Sequence, residues 1–124
     1  MLASDNRLTS SADFKKTTQL GARVSTKTLA GYALTEPELN APKIGFIVSR
    51  AIGGSVARHR VTRQLRHLSR ENITLLPHNS FVVVRALRQS PDYSNETKIL
   101  FEKLSLRLAE RNSSHNKPSK VVAG

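Results

Sequence analysis

The amino-acid sequence predicts an α+β domain, a two-layer α/β sandwich with elements in the order αβββαβα. Three observations predict it. The 124 residues are enough for one core and not for two. Phe81 to Leu87 is a Phe-Val-Val-Val run of the kind found in strands buried on both faces. Leu100, Phe101, Leu104 and Leu108 recur at helical spacing, which gives a closing helix one apolar side to lay on a sheet.

The elements follow in order. Ser10 supplies an N-cap hydroxyl and Asp13, three residues on, an acid near the positive end of a helix. That helix carries Phe14 and Leu20 and stops at Gly21. Val24 to Thr28 reads as a short strand and Leu29 to Leu34 as a second, with Tyr32 inside it. Thr35 to Pro42 is a loop, marked by Pro37, Asn40 and Pro42. Lys43 to Arg50 is a strand with Ile44, Phe46 and Val48 on one face and Ile47 on the other. Gly53-Gly54 breaks the chain, and Ser55 is placed to cap a long helix reaching Asn72. Phe81 to Leu87 is the fourth strand, and with the third it is expected to form the core. Ser90-Pro91 turns the chain into a last helix from Ser94 to Arg111. Asn112 to Gly124 is polar with one proline and is expected to be a disordered tail, leaving residues 1–111 as the domain.

Composition narrows the function. Lys and Arg number 20 against 9 Asp and Glu, a formal charge of +11, with a pI of about 11.0. Such an excess opposes compaction and favours a polyanionic partner. There is no Cys, which excludes disulfides and thiolate metal sites. No stretch approaches the ~18 apolar residues of a membrane span. Met1 to Ser11 lacks the apolar run of a signal peptide, so a cytoplasmic location is expected.

The charge is clustered. Arg50 to Arg70 spans 21 residues with six Arg, two His and no acid; the first acid is Glu71. On a helix, Ala57, Val61, Leu65 and Leu68 share one stripe suited to packing on the sheet. His59, Arg63, Arg66 and Arg70 fall on the opposite face, and Arg58 and Arg60 flank the stripe on either side. Crowded like charges destabilise an isolated helix, and a merely solvated face would interleave Glu with Lys. Arg also offers a planar fork that grips phosphate oxygens in pairs. The candidate nucleic-acid contacts are therefore Arg50, Arg58, His59, Arg60, Arg63, Arg66 and Arg70. Backbone N–H groups at Gly53-Gly54-Ser55 could hold a phosphate or simply form a strand-to-helix turn; no Lys-Ser/Thr pair follows, so it is not a P-loop. These features select nucleic acid but do not separate RNA from DNA.

The run Ile44-Gly45-Phe46-Ile47-Val48-Ser49-Arg50 through Gly53, then Val56-Ala57-Arg58-His59-Arg60-Val61-Thr62-Arg63-Gln64-Leu65-Arg66, resembles the signature of the bacterial ribonuclease P protein family. There a Gly-hydrophobic-Val-Ser strand leads into a helix with an Arg-Asn-Arg core and further Arg at the spacing of Arg63 and Arg66. Arg7-Leu8, Asp13-Phe14, Tyr32 and Phe81 to Arg85 sit where the family has counterparts, so the likeness spans Arg7 to Arg111. It implies a protein subunit that binds a catalytic RNA and the 5′ leader of precursor tRNA. Magnesium is expected in the holoenzyme, mainly on the RNA, with no cofactor held tightly by the protein, no catalytic residue on it and no protein oligomer required. By the same resemblance Arg58, Arg60, Arg63 and Arg66 meet the catalytic RNA, and Phe14 and Tyr32 line a leader cleft between the first helix and the sheet. The implied fold is that of a ribosomal-protein domain with a left-handed βαβ crossover. Three positions depart from the pattern: His59 replaces the usual Asn, Thr62 a common Lys, and Thr18 a frequent second aromatic.

Rival readings fit less well. A metal-dependent nuclease needs clustered carboxylates, and these are scattered. A His-based nuclease needs a paired acid and base, and His59 and His67 point roughly 80° apart on a helix. A helix-turn-helix reader needs a helix just before the basic one, where this chain has a strand and Gly-Gly. A ribosomal or other structural RNA-binding protein explains charge and fold equally, and leader-dependent tRNA affinity would discriminate it.

Overall fold

The computed structural model describes residues 6–116, with side chains described to residue 111. Helix α1 is Ser11–Leu20, strands β1 to β3 are Ala22–Ser25, Leu29–Thr35 and Lys43–Ile47, and helix α2 is Ser55–Glu71. A 3-10 turn at Ile73–Leu75, strand β4 at Ser80–Ala86 and helix α3 at Ser94–Asn116 complete the chain. The order is the expected αβββαβα.

The four strands form one mixed sheet in the order β1-β2-β4-β3. β1 with β2 and β2 with β4 are antiparallel. β3 and β4 run parallel, so α2 is the crossover between adjacent strands. On one face α3 and the inner side of α2 close the main core: Leu65, Val82, Val84, Leu100, Phe101 and Leu104 are fully buried. On the other face α1 covers part of the sheet, over Leu8, Phe14, Tyr32, Phe81 and Val83.

β4 is central and buried on both faces, as its composition predicts. Its core partner, however, is β2 more than β3. Leu29 and Ala33 are fully buried in the main core, where Gly31 between them lets Leu100 and Leu104 of α3 settle closely on the strand. β3 lies at one edge of the sheet, where among the described residues one parallel bridge from Arg7 to Ile44 covers it, with Leu8 N donating to Ile44 O at 3.0 Å. The face assignment of β3 holds: Ile44 and Phe46 belong to the main core and Ile47 to the other side.

Several ends differ from expectation. Gly54, not Ser55, caps α2, and no side chain bonds to the cap. The reason is the preceding turn, in which Ile52 N donates to Ser49 O and Gly53 takes a φ of 147°, a left-handed backbone that favours glycine. The chain therefore turns helical at Ser55 itself, one residue too early for a serine cap. The Ser10 cap is present, accepting from Asp13 N at 3.4 Å. α3 continues beyond Arg111 to Asn116, since the first helix breaker after it is Pro118. The remainder of the expected tail, residues 117–124, and the first five residues lie outside the described residues.

Candidate nucleic-acid interface

α2 turns sequence periodicity into a surface. Val61, Leu65 and Leu68 are buried, Ala57 is half-buried at the start of the same stripe, and Ser69 is also buried. That anchoring fixes the outward side. His59, Arg60, Arg63 and Arg70 are exposed, and Arg58 and Arg66 are half-buried along one flank. Arg50 is exposed in the turn ahead of the helix. The structure thus gathers six of the seven candidates on one helix and leaves Arg50 just before it.

A shallow groove runs along the Arg58 flank, lined by Ser55, Arg58, His59, Thr62, Arg63 and Arg66. Arg58 Nε is buried there with no hydrogen-bond partner among the described residues. A buried donor without an acceptor is costly, and Arg58 has that cost while its side chain lines the groove. Thr62 offers the groove no free donor, because its hydroxyl donates to Arg58 O within the helix at 2.8 Å.

The electrostatics are one-signed. Among the described residues no carboxylate lies within 4.0 Å of any α2 arginine. Among the described residues the one close contact of a carboxylate with a basic side chain of α2 joins Glu71 to His67 at 3.2 Å, at the helix's far end. The first turn holds no acid to meet the helix dipole, while Arg58 and Arg60 sit near its positive end. Local helix stability would be served by the opposite arrangement.

Phe14 and Tyr32 lie together on the other face of the sheet. Phe14 is half-buried against Gly45: a Cβ built there would stand 2.2 Å from Phe14 Cζ. Only glycine admits the ring at that depth. Tyr32 stands beside Val83 in the strand register, with the Arg23 guanidinium 5.9 Å above its ring. Its hydroxyl has no hydrogen bond among the described residues. Thr18, one turn after Phe14, gives its hydroxyl back to Phe14 O at 3.1 Å, so it offers the cleft no ring. A Lys16–Glu36 pair at 3.4 Å ties α1 to the β2–β3 loop.

Sequence reasoning missed Arg23 over Tyr32, because pairing across a hairpin depends on register. It also missed a second groove beside α2, formed with Gln89, Ser90 and Pro91. Those residues precede α3, and nothing in their local pattern announces that they return to α2.

Comparison with known proteins converges. The family model described as Ribonuclease P matches residues 2–108. A ribonuclease P protein component from Nocardioides sp. is 43% identical over 89 residues, covering 70% of this chain and 76% of that protein. Its counterpart from Acidothermus cellulolyticus is 35% identical over 116 residues, covering 92% and 97%. Among solved structures, the RNase P protein of Staphylococcus aureus aligns with a TM-score of 0.61 at 19% identity, covering 87% of this chain and 94% of that one. The protein from Thermotoga maritima aligns at 0.60 with 23% identity, covering 85% and 96%. At those identities the structural likeness speaks for the fold.

Proposed function

Since this chain belongs to the ribonuclease P protein family, we propose that it serves tRNA 5′ maturation by laying α2 on the catalytic RNA and holding the precursor's leader near Phe14 and Tyr32. The observation that carries this reading is the run Arg50 to Arg70, whose arginines have no carboxylate in ion-pair range among the described residues. Such a surface suits a polyanion, which displaces the small counterions that the arginines otherwise gather. Arg58, Arg63 and Arg66 reach phosphates from one groove. The half-buried rings of Phe14 and Tyr32 offer aromatic faces on which a leader base can stack.

Phosphodiester hydrolysis, with the magnesium that supports it, belongs in this reading to the RNA. The chain's own acids are dispersed, with no group of three or more metal-ligating side chains among the described residues. The protein's part is to position RNA and lower its mutual repulsion. The test is reconstitution with a bacterial ribonuclease P RNA at low magnesium, using precursor tRNA with and without a leader. Added protein should restore 5′ cleavage and bind the leader-bearing substrate more tightly. Equal affinity for both substrates and no gain in cleavage would instead mark a structural RNA-binding protein.

A further inference from the structure

α2 has a second concave flank that the single groove beside Arg58 does not use. It is lined by Arg60, Gln64 and His67 of α2 and by Gln89, Ser90 and Pro91 of the β4–α3 connection. Arg63 crowns the ridge between the two, lining both. The far wall is built rather than loose. Gln89 Nε2 donates to Ile52 O, tying the connection to the turn ahead of α2. Ser90 Oγ donates to Asp92 O at 3.0 Å. Tyr93 is fully buried, and its hydroxyl donates to Arg88 O at 2.9 Å.

The chemistry of this groove suits a strand with its bases free. Arg60 and Arg63 supply two guanidinium forks for phosphates. Gln64 carries an amide that can both donate and accept at a base edge. The exposed His67 imidazole gives a flat face for a base, and the exposed Pro91 ring an apolar surface beside it. Among the described residues no carboxylate lines the groove. Glu71 and Asp92, next to its lining residues, are engaged: Glu71 holds His67 at 3.2 Å, and Asp92 accepts from Ser94 N at 2.9 Å. A duplex keeps its base faces stacked inside, where neither the imidazole nor the proline ring could pack on them.

We propose that this groove takes a second, unpaired segment of RNA, so that α2 is a wedge between two strands and not a helix with one contact face. The proposal rests on the reading that α2 binds RNA, and its test separates the two. The chain has no cysteine, so Thr62→Cys and Ser90→Cys each place one tethered hydroxyl-radical source, on opposite flanks of α2. Each is assembled with a bacterial ribonuclease P RNA and precursor tRNA, the two RNAs labelled in turn to identify which one is cut. The expected result is two separate sets of cuts, with the Ser90→Cys set falling in unpaired nucleotides. Gln64→Glu, checked for folding by circular dichroism, should weaken RNA binding about tenfold through like-charge repulsion. It should also erase the Ser90→Cys cuts while sparing those from Thr62→Cys. Silence from Ser90→Cys, or cuts at the same segment as Thr62→Cys, overturns the second strand and leaves α2 as a one-sided RNA helix. Cuts from Ser90→Cys confined to duplex overturn the unpaired-strand assignment. Silence from both positions overturns the RNA reading of α2 as well.

Discussion

Phe14 occupies the space a side chain at Gly45 would need, so the two residues act as one unit. A methyl at Gly45 must push the ring outward. Gly45→Ala is therefore expected to lower Tm and to change leader discrimination together. Phe14→Ala separates the roles. If the ring stacks on the leader, the variant loses its preference for leader-bearing tRNA in competition binding. Unchanged preference with a lower melting temperature would assign the ring to the core alone. Arg58 and Arg63 are a different case, because α2 is anchored by other residues. Arg58→Ala with Arg63→Ala should leave the melting temperature near its original value. The slope of log affinity against log salt should become shallower by about 1.5, since each lost phosphate contact removes roughly 0.7–0.9. An unaltered slope in a filter-binding titration would remove both residues from the interface. These roles were legible as residue type and spacing, since a crowd of Arg without acid shows in the sequence. The seat of Phe14 on Gly45 was not, because it joins residues 31 positions apart through tertiary packing.

α2 and α3 show how elements divide the work. α2 carries cations at the end where its dipole is positive, and it remains helical because Val61, Leu65 and Leu68 are buried. α3 is held to the β1–β2 turn by Glu96, whose carboxylate accepts from Thr26 Oγ1 at 2.6 Å and from Thr28 N at 2.7 Å. Burial alone would raise the Glu96 pKa, but the hydrogen bonds from Thr26 and Thr28 and the nearby Lys27 outweigh it and hold it below the ordinary 4.5. A carboxylate with a depressed folded pKa contributes stability above its unfolded value and loses it as pH falls through the folded one. Glu96→Gln should therefore melt lower than the parent at neutral pH. The gap should close as the pH drops below 4.5, where the parent's own carboxylate takes up a proton. A gap that stays constant from neutral to acid pH in thermal melts would remove the charge from the argument. At this scale the sequence announced each helix and each strand, since periodicity and punctuation are local, but not the 3-10 turn at Ile73–Leu75. It misplaced boundaries such as the α2 cap and the end of α3, which depend on the backbone turn at Gly53 and on where the first proline falls.

The strand order is a property of the whole molecule, and local pattern is silent on it. The Phe-Val-Val-Val run reveals that β4 is buried on both faces, but placing it between β2 and β3 requires the crossover through α2. The same placement makes Val83, fully buried under α1's face of the sheet, a residue on which the fold depends. Val83→Asp should cost about 4–5 kcal/mol or more by burying an unpaired charge, and its circular dichroism should be that of an unfolded chain. The net charge of +11 acts at the same scale. In the free protein it repels itself, and salt relieves that repulsion by screening. In the complex the same charges displace counterions from RNA, and salt opposes binding. One cause thus predicts two responses of opposite sign. Raising salt should increase the melting temperature of the free protein, while affinity for RNA falls with a log-log slope of about −4 to −5 if roughly six phosphates are neutralised. A melting temperature that falls with salt would mean that internal ion pairs outweigh the repulsion. A binding slope near zero would mean that the arginines of α2 do not meet phosphate.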